Sequence, residues 1–187
     1  MYIEANHFAT CVTDTQSRSK IDPITVRSIS PADGELQRAF FNSLSSQSRF
    51  MRFMGTMGEI PTYLLRILSS VTAENHMAYM LTTGSGDNIK MIGEARLVIR
   101  EDNKLVADFA LALMDGYQGK GLANKLMLLL ETVAAQKGIE QIIGHTLCTN
   151  EAMKKLAQRF QYNLKSDACD ARAIIMRKSL EPLALCA

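Results

Sequence analysis

The sequence predicts a single α+β domain, in which an antiparallel meander of strands is flanked by helices. Two observations support this fold class. Three strand-like segments follow one another in the middle of the chain with only short turns between them, which is typical of an antiparallel meander. From residue 121 the spacing of apolar residues changes to a helical period. The chain of 187 residues fits one ordinary domain, and no repeat, low-complexity block or linker follows Pro23.

The first third of the chain predicts one strand and several short helices. Residues 1–22 are polar and lack periodicity, so we expect a flexible N-terminal arm followed by the domain at 23–187. The run 24–29 alternates and is β-branched, which predicts a strand. Turn-forming residues then precede a helix, and proline suits the first turn of a later one. These helices are predicted at about 33–43, at 46–54 and from Pro61.

The rest of the chain predicts the meander, a long helix and a final group of short elements. The meander strands are predicted at 76–83, 89–99 and 105–113, with turn-forming residues between them. The long helix runs from about 121 to Lys137-Gly138, and Leu122, Leu126, Leu129 and Val133 recur on one of its sides. The last elements are a strand at 139–148, a helix at about 150–160 and two segments around 161–166 and 171–178.

Composition excludes several classes of protein. Lys and Arg number 21 against 19 Asp and Glu, a net charge of +2, which lacks the footprint of a non-specific nucleic-acid binder. No apolar run approaches the ~18 residues of a membrane span, and the first 20 residues do not resemble a signal peptide. The four cysteines lack metal-ligand spacing. We therefore expect a cytoplasmic protein with no metal, no membrane partner and no nucleic-acid partner.

The junction between the third meander strand and the long helix carries the clearest chemical signal. Gly119 and Gly121 let the backbone approach an anion, because no β-carbon intervenes, and the first amides of the helix point to the same place. A phosphate-bearing cofactor is the expected occupant. A Walker loop would need Ser or Thr at Gly121, and a dinucleotide fingerprint would need glycine at Asn124. The remaining match is Gln-x-x-Gly-x-Ala, formed by Gln118, Gly121 and Ala123.

This motif resembles the signature of the GNAT superfamily of acetyl-CoA-dependent N-acetyltransferases, (Gln/Arg)-x-x-Gly-x-(Gly/Ala), and the order of predicted elements also matches. Between Ser45 and Asn163 the chain is most similar to the acetyltransferase domain of bacterial Pat-type protein lysine acetyltransferases. The similar segments are 44–45, 48–53, 92–96, 107–110, 117–122 and 147–153. The resemblance implies a mixed, mostly antiparallel sheet that is flanked by helices and splayed where acetyl-CoA enters.

The resemblance also implies a set of residues that bind acetyl-CoA. Main-chain groups of Leu111 and Leu113 would bind the pantetheine arm. The amides of the signature loop would surround the pyrophosphate; the loop residues are Gln118, Gly119, Lys120, Gly121, Leu122 and Ala123. The side chain of Asn150 would reach the cofactor, although a plain N-cap role at the start of its helix explains this asparagine equally well.

Acetyl transfer to an amine requires a base, since an ammonium group of pKa ~10.4 is neutral only about once in 2,500 molecules at pH 7. Asp108 stands where Pat-type enzymes carry their catalytic glutamate, and it is a lone carboxylate in an apolar strand. Aspartate is one methylene shorter, which favours a water relay. The alternative is an ion pair with an arginine such as Arg96, and Glu94 is the reserve base. A tyrosine acid of other GNAT enzymes is absent, because Ala157 occupies that position.

The predicted reaction is direct attack of a primary amine on acetyl-CoA in a ternary complex. The resemblance favours a protein lysine as the acceptor, with a small amine next. A non-catalytic acyl-CoA sensor on the same fold is the alternative function. The sequence allows a homodimer but does not fix the oligomeric state. His7, His76 and His145 are isolated in sequence and are interpreted as packed or exposed side chains, not catalytic ones.

Overall fold

The fold is a seven-stranded sheet with helices on both faces. The computed structural model describes residues 23–72 and 74–181, so the predicted arm at 1–22 lies outside the described residues. The described elements, in chain order, are β1 (Thr25–Ser28), α1 (Gly34–Ser43), α2 (Ser46–Phe53), α3 (Thr62–Ser69), β2 (His76–Thr83), β3 (Lys90–Ile99), β4 (Val106–Leu113), α4 (Leu122–Gln136), β5 (Gln141–Leu147), α5 (Glu151–Arg159), β6 (Asn163–Ser166) and β7 (Ala173–Ser179). Among them, no helix is long and apolar enough to cross a membrane.

The sheet is mixed and mostly antiparallel, as predicted. Its strand order is β1-β2-β3-β4-β5-β7-β6. The meander β2-β3-β4 pairs antiparallel throughout. Strands β4 and β5 pair in parallel, and the connection between them is the long helix α4. A parallel pair needs such a crossover, because a tight turn cannot return the chain in the same direction. This single parallel pair is the centre of the site described below.

Each face of the sheet packs on a different set of helices. On one face, Phe40 and Phe41 of α1 and Leu65 of α3 pack against Ala78 and Met80 of β2. On the opposite face, helix α4 packs against the sheet through a buried stripe of Leu122, Leu126, Met127, Leu130 and Ala134. The predicted stripe through Leu129 and Val133 is therefore rotated, since both residues are only half-buried.

The start of the domain is fixed by a carboxylate that joins β1 to the turn before α1. Both oxygens of Asp33 accept hydrogen bonds from Arg27, at 2.6 and 2.8 Å. One of them also accepts from the amide and the hydroxyl of Ser30, at 2.7 and 2.9 Å. The Arg27 hydrogen bonds contribute most to lowering the pKa of Asp33 from 3.8 to about 2.

This pair predicts a defined loss of stability in acid. Because the pKa of Asp33 is lower in the folded state, its contribution is complete above pH 3.8 and is lost as the pH falls towards about 2. Asp33→Asn should lower the free energy of unfolding at pH 7 by about 1–2 kcal/mol, and the difference from the wild type should shrink below pH 4. Urea denaturation at pH 7, 5, 4 and 3 measures this. A difference that is constant with pH would contradict the role of the charge.

Candidate active site

A cavity of about 600 Å³ opens where β4 and β5 stop pairing. The parallel register runs from Val106↔Gln141 to Phe109↔Gly144 and ends there. Beyond that point residues 109–113 of β4 form one wall, and His145 and Thr146 of β5 begin the other. Helix α2, the loop before α4 and the start of α5 complete the lining. The volume lies within the usual range of small-molecule sites.

The loop before α4 has the backbone shape that the sequence predicts for an anion site. Gly119 and Gly121 have positive φ angles of 73° and 78°, which residues with a β-carbon rarely adopt. A β-carbon at either glycine would have no atom within 4 Å, so the loop presents open backbone. Gly119, Gly121 and Ala123 line the cavity, and Gly121 is the N-cap of α4. The first amides of this helix therefore face the cavity with the positive end of the helix dipole.

Two of the predicted loop residues turn their side chains away. The ammonium group of Lys120 lies 5.2 Å from the centre of the Tyr117 ring, and Leu122 is buried in the core under α4. Neither is among the residues that line the cavity. Lys120 and Leu122 can therefore act on a ligand there only through the main chain, which is the role that the resemblance implies.

The loop is tied to helix α2 by a cluster of hydrogen bonds that sequence reasoning missed. The Asp115 carboxylate accepts from the amide and hydroxyl of Ser45, at 3.0 and 2.7 Å, and from the hydroxyl of Ser48, at 2.8 Å. Burial opposes ionisation of Asp115, but these hydrogen bonds outweigh it and lower its pKa. The Gln118 side chain donates to Ser48 Oγ at 3.2 Å and to the Leu113 carbonyl at 3.1 Å. The side chain of Gln118 therefore holds the loop in place, while its main-chain amide is the group predicted to contact the cofactor.

Asn150 has the N-cap role that the sequence left as an alternative. Its Oδ1 accepts from the amide of Met153 at 3.1 Å, and its Nδ2 donates to Thr146 Oγ1 at 3.0 Å. The residue lines the cavity. Its contact with a cofactor stays a prediction, because both ends of the amide already have partners within the protein.

Asp108 lies on the α2 side of the sheet but is not among the residues that line the cavity. Its two carboxylate oxygens accept from Nε and Nη2 of Arg100, each at 2.8 Å. The ion pair with an arginine that the sequence analysis gave as the alternative is therefore present, but its arginine is Arg100 and not Arg96, whose guanidinium binds Glu94. Both side chains of the Asp108–Arg100 pair are about one-third exposed. Asp108 as a base stays a prediction, and it requires that Arg100 first release the carboxylate.

Glu94, the reserve base, is a fully buried ion-pair partner. One of its oxygens accepts from Nε and Nη2 of Arg52, at 3.0 and 2.8 Å, and the other accepts from Nε of Arg96 at 2.7 Å. Burial disfavours the charged carboxylate, but the two guanidinium groups outweigh it and hold the pKa of Glu94 below its ordinary value. Both carboxylate oxygens of Glu94 are occupied by arginines and the residue does not line the cavity, so the structure gives no support to its reserve role as a base.

Three further residues line the cavity and were not expected there. Arg52 reaches it from α2. His145 reaches it from β5. At the α4 end, Arg159 donates to Asn124 Oδ1 at 3.1 Å, which brings a cation from α5 next to the glycine loop. No local pattern predicts these positions, because each depends on how distant elements pack. Within the described part of the chain, no group of three or more His, Cys, Asp or Glu could hold a metal ion.

The fold and the cavity together define a class of protein. Among the described residues, a mostly antiparallel sheet separates at its one parallel pair, and a glycine loop with a helix N-terminus lines the gap, an arrangement that suits a phosphate-bearing ligand. Residues 24–163 match the family model described as the acetyltransferase (GNAT) domain. The chain belongs to the GNAT acetyltransferase family and is an acetyl-CoA-dependent N-acetyltransferase.

Individual acetyltransferases are also similar to this chain in sequence. The chain is 26% identical over 179 residues to the acetyltransferase PA5475 of Pseudomonas aeruginosa, covering 95% of this chain and 92% of that protein. It is 30% identical over 135 residues to the acetyltransferase Pat of Mycolicibacterium smegmatis, covering 72% of this chain but only 39% of that protein.

Solved structures share the fold. The GNAT domain of S. lividans PAT superimposes with a TM-score of 0.75 at 20% identity, over 83% of this chain and 89% of that one. The yncA protein of Salmonella typhimurium, solved with its cofactor acetyl-CoA, has a TM-score of 0.66 at 15% identity, over 86% and 96% of the two chains.

Proposed function

We propose that this acetyltransferase transfers the acetyl group of acetyl-CoA to a primary amine, by direct attack in a ternary complex. The favoured acceptor is a protein lysine, and a small amine is the second candidate. The observation that carries the proposal is the cavity between β4 and β5, with the Gly119–Gly121 loop and the α4 N-terminus on its wall. The predicted location is the cytoplasm.

Acetyl-CoA fits this site by charge and by shape. Its pyrophosphate would lie against the amides of residues 118–123, which provide positive potential without a cluster of basic side chains. Its pantetheine arm would run along β4 at Leu111 and Leu113, where β5 no longer pairs with the strand. The guanidinium of Arg159, beside Asn124, adds one positive charge close to the same loop.

Helix α2 forms the wall that an acceptor would meet. Gln47, Ser48, Met51 and Arg52 line the cavity from this helix. The Pat-like segments of the sequence include most of α2, and both a Pat protein and the GNAT domain of a PAT protein are similar to this chain. These similarities support a protein lysine as the acceptor. The shape of the site agrees with this, because an amine on a flexible stem can enter such a gap from a protein surface.

An acceptor screen with a loop variant tests the proposal. Release of free thiol from acetyl-CoA is measured with a blocked peptide that carries one lysine, with spermidine and with single amino acids. Gly121→Ala places a methyl group on the loop and forces an unfavourable φ, so it should raise the Kd for acetyl-CoA about tenfold, as a loss of about 1.4 kcal/mol would. Gly138→Ala is the matched control, since Gly138 also has a positive φ of 71° and open space around it but lies at the far end of α4.

Each result has a defined meaning. Equal weakening of acetyl-CoA binding by both glycine variants would show that strain alone is responsible and would contradict the loop assignment. Binding of acetyl-CoA without turnover on any amine would favour the sensor on the same fold. Turnover with spermidine or amino acids but not with the peptide would replace the lysine acceptor by a small amine.

A further inference from the structure

His145 occupies the point on β5 at which the two central strands separate. The last paired residues are Phe109 and Gly144, and His145 follows directly. Ile143 pairs with Asp108 in the parallel register, so the side chain of His145, two residues later, lies on the same face as Asp108 and helix α2. The residue lines the cavity, and 39% of its side chain is exposed.

His145 also differs in its chemistry from the other ionisable side chains of the cavity wall. Those other side chains are Arg52, Asp115, Glu151 and Arg159. The two arginines stay protonated at all relevant pH values. The Asp115 carboxylate is saturated by serine hydrogen bonds and has a lowered pKa, and Glu151 pairs with Lys154 at 2.6 Å in the first turn of α5. Histidine is the side chain that most often serves as a general base in enzymes.

A carboxylate behind the ring favours one arrangement of its proton. Nδ1 of His145 lies 3.9 Å from Oδ2 of Asp167, which follows β6, and the other oxygen of Asp167 accepts from the Cys169 amide at 2.8 Å. A negative charge on the Nδ1 side favours a proton on that nitrogen. Nε2 is then the nitrogen with a free lone pair, as acceptance of a proton requires.

We propose that His145 is the catalytic base of the acetyl transfer, in place of Asp108. This inference rests on the proposed function. The acceptor enters as an ammonium group and Nε2 of His145 takes one of its protons. The neutral nitrogen attacks the thioester carbonyl, the C–N bond forms and the C–S bond breaks. The second proton of the nitrogen leaves with the sulfur as free thiol, and the imidazolium returns its proton to water. Atoms and charge balance, and no further reactant is needed.

Charged residues from several neighbouring elements surround His145, and two of them have ion-pair partners of their own. From α2 comes Arg52, which is paired with Glu94, and from β4 comes Asp108, which is paired with Arg100. On the same face, the register β5-β7-β6 places Ile175 and Lys165 in line with His145, and Arg177 in line with Ile143. The charged residues on this face of the sheet around His145 are thus Asp167, which lies 3.9 Å from the ring, and Asp108, Arg52, Arg177 and Lys165.

The pH dependence of turnover separates the two candidate bases. With the lysine peptide and spermidine as probes, kcat/KM of the wild type should reach a plateau well below the pH range in which the free amine loses its proton. His145→Gln should be slower by about 100-fold at pH 7. Its rate should rise continuously towards pH 10, because only amine that is already neutral can react, so the deficit should shrink as the pH increases. Binding of acetyl-CoA, measured by calorimetry, should be retained.

Each result of these experiments either supports or contradicts His145 as the base. The proposal is overturned if His145→Gln keeps the plateau, or if Asp108→Asn loses it while His145→Gln does not. A wild type that binds acetyl-CoA but acetylates neither probe contradicts the proposed function instead. A second measurement then tests the position of His145 without turnover. Added acetyl-CoA should shift the NMR signals of the His145 ring and leave those of His76 unchanged, and an unshifted His145 ring would overturn the assignment.

Discussion

Replacing Glu94 with glutamine is expected to lower the free energy of unfolding by about 3–5 kcal/mol, because two largely buried guanidinium groups would lose their counter-charge. The side chains of Glu94, Arg96 and Arg52 are 0%, 3% and 12% exposed. Glutamine keeps the shape of the side chain but offers one oxygen where the carboxylate offers two. A loss of this size is a large part of the 5–15 kcal/mol that an ordinary domain possesses.

The ion pair of Asp108 and Arg100 provides a matched control for this experiment. Asp108→Asn is the same chemical change at another arginine-bound carboxylate, but both side chains of that pair are about one-third exposed. Its cost should be less than about 1 kcal/mol, since solvent already screens the pair. Urea denaturation of both variants gives the comparison. Similar losses for Glu94→Gln and Asp108→Asn would contradict the importance of burial for this network.

Glu94→Gln should also weaken the site, because Arg52 anchors α2 to the sheet and α2 is a wall of the cavity. The other anchor of the helix is the cluster of Asp115, Gln118, Ser45 and Ser48. We expect a larger KM for the acceptor even under conditions in which the variant is fully folded. A KM equal to that of the wild type in folded Glu94→Gln would separate the network from the function of α2.

Gly144→Ala is expected to lower both the stability of the domain and its affinity for acetyl-CoA. A β-carbon at Gly144 would lie 2.5 Å from Cζ of Phe109 and 2.8 Å from Cε of Met176. The Phe109 ring cannot simply move away, because it is buried and packs on the Tyr162 ring at 5.4 Å between centres. Overpacking of this kind costs about 1–3 kcal/mol. Phe109 and Met176 also line the cavity, so acetyl-CoA binding should weaken together with stability.

Gly34→Ala is the control for this substitution. Gly34 has helical angles, and a β-carbon there would have no atom within 4 Å. Alanine at such a position should be neutral or stabilise by about 0.4–1 kcal/mol. Thermal unfolding with and without acetyl-CoA measures both effects. If Gly144→Ala unfolds at the temperature of the wild type, the contact between the central strands at this point is looser than the structure indicates.

The elements of this fold could be predicted from sequence because their signals are local. Alternation marks the meander strands, and glycine and proline mark where helices begin and end. The loop of Gly119 and Gly121 was predictable for the same reason, since its shape follows from residues within one short segment.

The partners of the charged residues could not be predicted in this way. The cross-strand neighbour of Asp108 is Val98 of β3, and Arg96 and Arg100 lie two residues before and two residues after it, Arg100 directly beyond the end of the strand. Alternation cannot choose between them. The choice is made by packing, because Arg96 is buried under α1 and α3, where it donates to Gln37 and to the carbonyl of Leu68. Similarly, Glu94 and Arg52 are 42 residues apart, and the position of His145 depends on the register between β4 and β5.

The sheet consists of two contiguous halves, β1 to β4 and β5 to β7, which share only the four register pairs between Val106 and Phe109 on one strand and Gln141 and Gly144 on the other. A ligand in the cavity touches both halves, so it acts as a removable cross-link between them. Its binding free energy adds directly to the cohesion of the whole domain, about 2.7 kcal/mol when its concentration is 100 times the Kd. Acetyl-CoA therefore stabilises the domain only while it is bound, and each catalytic cycle removes this contribution and restores it.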